Sequence, residues 1–136
     1  MSDCIFCDIV DEEESTHRIY EDEESLAFLD IEPTNPGHVL VVPTAHYETL
    51  TDMEETFVGS VFQTAWRIAD AIESACNPDG INIVQSNGTA AGQEIFHAHV
   101  HVVPRYEDDD VTLHWASGDS TEKSNQEVAA ALRSEL

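Results

Sequence analysis

Positive charge is what this 136-residue sequence has least of: five Lys and Arg stand against 28 Asp and Glu, for a formal net charge of −23. A surface of that sign repels nucleic acid and offers no basic groove for a phosphate backbone. Long apolar runs are missing too. No stretch reaches 18 apolar residues, and Met1-Ser2-Asp3-Cys4 has neither the basic flank nor the apolar core of a secretory leader, so a soluble cytoplasmic protein with no membrane partner is expected. Cysteine is scarce. Cys4, Cys7 and Cys76 are an odd number and suggest no disulfide framework. The length suits one core and not two, so a single domain over 1–136 is expected.

What is present is 41% hydrophobic residues in periodic segments, which argues against a disordered acidic chain. A folded domain so acidic repels itself in dilute buffer, whereas at molar salt the Debye length shrinks to ~3 Å and the repulsion fades. The composition therefore points to a halophilic organism with a high-salt cytoplasm; a basic protein partner is the other way to neutralise it.

Cys4 to Val10 reads as a short helical or turn element carrying Ile5, Phe6 and Ile9. Strands are expected at 18–21 and 26–29 as a hairpin, at 38–42 ending on Pro43, at 81–85, and at 95–103 ending on Pro104. Thr51 and Glu54 have capping-box spacing and open a long helix whose apolar residues, from Met53 to Ile72, recur in steps of three and four. Asn77-Pro78-Asp79-Gly80 stops it, and Ser124 with Glu127 offers a second capping box before a C-terminal helix. This order predicts an α+β fold: an antiparallel sheet of about five strands, one long helix and a C-terminal helix on one face, with the other face or an edge left for a site.

His97, His99 and His101 alternate with Ala98, Val100 and Val102. Strand side chains change face with period two, so the three imidazoles share a face, with successive members ~7 Å apart. Three chemistries suit that row: a plain polar strand face, a metal site, or covalent catalysis in which an imidazole attacks phosphorus. The loop 87–93, with Asn87, Gly88, Gly92 and Gln93, offers N–H and amide groups suited to phosphate oxygens. Cys4 and Cys7, spaced Cys-x-x-Cys, are half of a zinc site, a redox pair or two small buried residues.

His97 to Val103 resembles the His-φ-His-φ-His-φ-φ signature of the histidine-triad family, φ being hydrophobic, with the small Ala98 the one loose match. Cys4 to Ile9, Leu26 to Ile31, Gly37 to Pro43, His46 and Gly92-Gln93 extend the resemblance over nearly the whole chain, on the side of its Hint and Fhit branches. The resemblance implies a HIT-like fold pairing into a two-fold homodimer and an enzyme acting at the α-phosphate of a purine nucleotide: a phosphoramidate, an adenylate or a dinucleoside polyphosphate. It makes His99 the nucleophile of a nucleotidyl-histidine intermediate. His101 becomes a phosphate-binding neighbour, and the His97 carbonyl orients the His99 ring. Asp30 takes the ribose hydroxyls, Ile5, Phe6, Ile9, Phe28 and Ile31 the base, and Asn87, Gly92 and Gln93 the phosphate path. Cys4, Cys7, His46 and His97 become a structural zinc site.

Glu94 departs from the Ser or Thr of many Hint-type members and sets a carboxylate where a polyphosphate leaving group would lie, which Arg105 is placed to offset. His17, His38 and His114 read as surface or packing residues, Trp115 as a cleft, core or interface residue and Cys76 as buried helix. A nucleotide-binding regulator with little turnover and a zinc hydrolase using the triad as ligands are the competing functions.

Overall fold

The computed structural model describes residues 2–113 and 124–136, so the expectations for His114 and Trp115 lie outside the described residues. Five antiparallel strands form one open sheet in the order β1-β2-β3-β5-β4: β1 Arg18–Glu21, β2 Ser25–Leu29, β3 Val39–Pro43, β4 Gly80–Gln85 and β5 Val100–Arg105. Three α-helices accompany it among the described residues, α1 Ile5–Val10, α2 Glu55–Cys76 and α3 Asn125–Glu135. No helix among the described residues is long and apolar enough to cross a membrane.

α2 buries Val61, Ala65, Ile68 and Ile72 against Ala27, Val39, Val41, Val100 and Val102 on one face of the sheet. Helices were expected on that face alone. β2 and β3, however, are buried almost throughout, which is the mark of strands covered on both sides. The second cover is α1, whose Phe6 and Ile9 pack on Leu26, Phe28, Leu40 and Val42. Its helix is set by Cys4, an N-cap whose sulfur accepts the Cys7 N–H at 3.3 Å.

α2 begins later than its spacing suggested. Asp52 reaches back to the Thr49 N–H at 3.2 Å and to Thr49 Oγ1 at 2.9 Å, closing a separate 3-10 turn over Leu50–Asp52. Met53 is then extended, and α2 starts after Glu54. Its end agrees with the sequence: Asn77 takes the left-handed conformation that stops a helix. Ser124 Oγ accepts the Glu127 N–H at 3.2 Å, the expected cap of α3.

The triad strand is shifted by several residues. β5 pairs with β3 only from Val100 to Val102, and with β4 from Val100 to Arg105. His97 and His99 precede it on a segment held by the Ala98 N–H on the Tyr47 carbonyl, 2.7 Å. Pro104, expected to end the strand, lies inside it. The Arg105 carbonyl faces β4 through Asp79, so the neighbouring Pro104 faces the opposite way, past the last β3 pair, and lacks no ladder donor there.

Candidate active site

The sheet face opposite α2 carries a cleft of about 500 Å³ lined by Phe6 and Ile9 of α1, by Phe28, Asp30 and Thr34, by Gly92 and Glu94, and by His38, His99 and His101. Phe6 holds its depth. Its ring stands edge-on to Phe28, His97 and His99 at centroid distances of 5.6, 5.8 and 5.1 Å, so the triad rings share its side of the chain.

Backbone groups decide which nitrogen of each ring carries the proton. His99 Nδ1 lies 2.8 Å from the His97 carbonyl, and a carbonyl can only accept, so Nδ1 holds the proton and Nε2 is left with a free lone pair. His38 Nδ1 accepts the Thr34 N–H at 3.0 Å, so its proton sits on Nε2, which is 2.9 Å from His101 Nδ1. His101 therefore accepts at Nδ1 and carries its own proton on Nε2. His99 and His101 stand 5.0 Å apart with opposite polarity at Nε2. Burial pushes both rings below the ordinary imidazole range, His101 to about 4 with the His99 and His38 rings adding to it, so both are neutral at pH 7.

His97 turns elsewhere. It is fully buried, Nε2 donates to the Pro43 carbonyl at 2.9 Å, and Nδ1 lies 3.3 Å from Cys4 Sγ and 3.5 Å from Cys7 Sγ. His46 Nδ1 is 3.3 Å from Cys7 Sγ. The donor atoms of Cys4, Cys7, His46 and His97 all lie within 4.8 Å of one another. Two sulfurs and two imidazole nitrogens in so small a volume are a donor set suited to a tetrahedral zinc ion. Burial, then the neighbouring Cys4, pushes the Cys7 thiol up to about 11, which a bound cation would reverse.

Asp30, half-buried, accepts the Glu32 N–H at 2.9 Å through Oδ1 and sets Oδ2 3.5 Å from His38 Nε2. Ile5 and Ile31 line the rim and are 42% and 91% exposed, whereas Phe6, Ile9 and Phe28 are buried and serve core and cleft together. Of the three residues expected on the phosphate path, only Gly92 lines the cleft. Gln93 is buried, taking the Gly88 N–H at 2.7 Å and donating to the carbonyls of Glu48 and Ile95 at 2.7 and 3.0 Å. Asn87 Oδ1 takes the Leu50 N–H at 2.7 Å. Both amides brace the loop that carries Gly92 and Glu94.

His38, read from the sequence as surface or packing, is a site residue that reading missed. It is 4% exposed and bonded to His101. The available signal was parity, since it precedes β3 on the face of Leu40, the residue opposite His101. Arg105 does not offset Glu94: its Nε and Nη2 donate to Asp109 and its Nη1 to Asn82 Oδ1. No Lys or Arg lines the cleft among the described residues. Cys76 is exposed, not buried, and lies where a Cβ on Gly37 would come within 3.2 Å of its sulfur. His17 is exposed, as expected.

The chain resembles a HIT family protein from Bacillus anthracis with a TM-score of 0.91 and 36% identity, over 99% of this chain and 98% of that one. A zinc-bound histidine triad family protein from Mycobacterium smegmatis matches with a TM-score of 0.77 and 38% identity, over 97% and 91%. Two enzymes are similar in sequence. An adenylylsulfatase of Arabidopsis thaliana is 40% identical over 85% of this chain and 57% of its own length, and an adenosine 5′-monophosphoramidase of Saccharomyces cerevisiae is 38% identical over 75% and 62%. The chain spans less than two thirds of either enzyme. The HIT domain pattern itself matches residues 11–108, well over half of the sequence, and the chain belongs to the histidine-triad (HIT) family.

Proposed function

We propose that the protein is a nucleotide hydrolase or nucleotidyl transferase that opens the α-phosphate bond of a purine nucleoside phosphoramidate, adenylate or dinucleoside polyphosphate. The observation that carries this is the opposed polarity of two neighbouring rings in one cleft, a lone pair on His99 Nε2 beside an N–H on His101 Nε2. His99 Nε2 attacks phosphorus and forms a P–N bond as the bond to the leaving group breaks, an amine leaving group taking up a proton from solvent and a sulfate or phosphate departing as the anion. The imidazolium charge that develops is held by the Nδ1–H on the His97 carbonyl, while His101 Nε2–H donates to a phosphate oxygen. Water then attacks phosphorus, passes a proton to solvent and frees His99. Asp30 receives the ribose, and Ile5, Phe6, Ile9, Phe28 and Ile31 the base; Gly92 offers its N–H to phosphate. The names of the yeast and Arabidopsis relatives support adenylate chemistry.

Zinc held by Cys4, Cys7, His46 and His97 is structural in this reading: it fastens α1 to the segment bearing the His97 carbonyl. Because the triad is divided between that cluster and the cleft, the geometry favours phosphorus chemistry at His99 over a metal held by all three rings. The exposed Phe62 and Trp66 of α2 and Ile83 of the edge strand β4 support a homodimer, and the charge a high-salt cytoplasm, within one domain over 1–136.

The test is AMP release from an adenosine phosphoramidate in high salt. Wild-type protein turns over, and His99→Ala loses about 10⁴-fold or more. Binding without turnover by the wild type would instead leave a nucleotide-binding regulator.

A further inference from the structure

The loop between β2 and β3 supplies the N–H that sets His38, yet 31–34 and Pro36 are exposed and Asn35 alone in that stretch is buried. Asn35 is also where the loop meets a network outside the cleft. Its Nδ2 donates to the Pro104 carbonyl and to Asp109 Oδ2, both at 2.9 Å, while its own carbonyl accepts the His38 N–H at 3.1 Å. Asp109 is in turn saturated. Arg105 donates to both its oxygens at 2.9 and 3.0 Å, and the N–H groups of Tyr106 and Val111 at 2.9 and 3.2 Å. Arg105 itself is fixed by Asn82 Oδ1 at 2.7 Å and the Val111 carbonyl at 2.6 Å. Tyr106 Oη donates to the Pro36 carbonyl at 3.2 Å, and Gly37, at φ +93°, lies so close that a Cβ there would stand 3.1 Å from Pro104.

We infer that Asn35, Asp109 and Arg105 are positioning residues that act through the Thr34 N–H and His38 to hold His101 as a proton donor toward the cleft. A pair of hydrogen-bonded imidazoles has two arrangements. In one His38 donates and His101 Nε2–H points at phosphate; in the other His101 donates from Nδ1 and presents a bare Nε2 lone pair to an anion. Only the first tolerates a backbone N–H on His38 Nδ1. The latch keeps that N–H in place by tying an exposed loop to β5, the strand that bears His101. The two ends of β5 thereby serve the same proton. His101 presents it to the substrate, and Arg105, four residues on, anchors the loop that sets it.

The kinetic half of this inference rests on the hydrolase reading; the tautomer half does not, because ring ¹⁵N shifts of His101 and His38 are measured on the unliganded protein. In Asn35→Ala we expect the His101 Nε2 resonance to move from its protonated position toward an averaged one, with kcat down about tenfold and KM within about twofold. Asn35→Asp, which keeps the size, loses the donors and meets the Asp109 carboxylate, gives the same shifts if the alanine variant does not fold. Val61→Ala, in the core under α2, is the control for lost stability: a lower melting temperature with His101 shifts and kcat unchanged. Unaltered His101 shifts in a folded Asn35 variant, or a loss of kcat without them, would overturn the inference. Shifts that move as expected in a protein whose wild type hydrolyses no phosphoramidate would support the latch and sink the hydrolase reading.

Discussion

His97 and His101 are four residues apart in one motif, on one side of the chain, and end in different chemistry. At His97 the Pro43 carbonyl takes the Nε2 proton, and the lone pair of Nδ1 is aimed at two cysteine sulfurs. At His101 a ring donor occupies Nδ1, and the Nε2 proton is aimed into the cleft. His99, between them, has its Nδ1 proton on a carbonyl and its Nε2 lone pair in the cleft. In the proposed function the same side chain thus serves as a zinc ligand, a nucleophile or a hydrogen-bond donor according to which neighbouring group occupies one of its two nitrogens. The triad row is sorted by its neighbours: Pro43 and Thr34 lie far away in sequence, and neither belongs to the motif.

Removing one region at a time separates the two chemistries. In Cys4→Ser, made in the zinc-loaded protein, we expect the melting temperature to fall by about 10 °C, on the order of 2 to 4 kcal/mol, with the folded fraction still turning over phosphoramidate. Calorimetry with AMP release checks both. In the cleft, His38→Ala takes the donor from His101 Nδ1; kcat should fall about 10- to 100-fold with little change in melting temperature, read by steady-state kinetics.

Period two made the shared side of the triad legible, and helical spacing made α2 legible, because both follow from the chain's own geometry. The limits of β5 were not, since they depend on where β3 stops facing it, and a single strand's residues hold no record of that. The start of α2 was misplaced by one competing cap, Thr49 with Asp52, of the same spacing as Thr51 with Glu54. In the site, the donor set Cys4, Cys7, His46 and His97 came together as the resemblance implied. Gln93 and Asn87 were not legible as braces, because an amide shows its partners only once the loop is folded. The parity of His38 with Leu40 could have shown its side of the sheet, but its bond from the Thr34 N–H could not be read, because no residue type announces it.

Smaller effects are expected at the cleft rim and from pH. Glu94→Ser removes a carboxylate from the rim of a cleft that no Lys or Arg lines among the described residues, so turnover with an anionic leaving group, adenylyl sulfate or a dinucleoside polyphosphate, should rise about five- to tenfold at low salt. A neutral amine leaving group should show no change, and the gain should shrink as salt screens it. The pH dependence is the gentlest test. Burial lowers the His99 and His101 pKa values, so the reactive neutral rings persist below 6.5; kcat should stay level from pH 8 to 6.5 and fall only as acid reaches the lowered values, toward about 4 for His101. Stability has the same sign. The unfolded rings bind protons near 6.5 and the folded ones below it, so these rings stabilise the fold fully above 6.5, and that contribution is lost as the pH falls through their lowered values, about 4 for His101.

The division of the triad is tested most directly by the intact mass of protein quenched during turnover of an adenosine phosphoramidate, with and without a zinc chelator. A covalent adenylate on the wild type that persists on chelated but still folded protein and is absent from His99→Ala is the predicted result. An adduct that survives His99→Ala, or turnover that survives it but stops on chelation, would contradict the account.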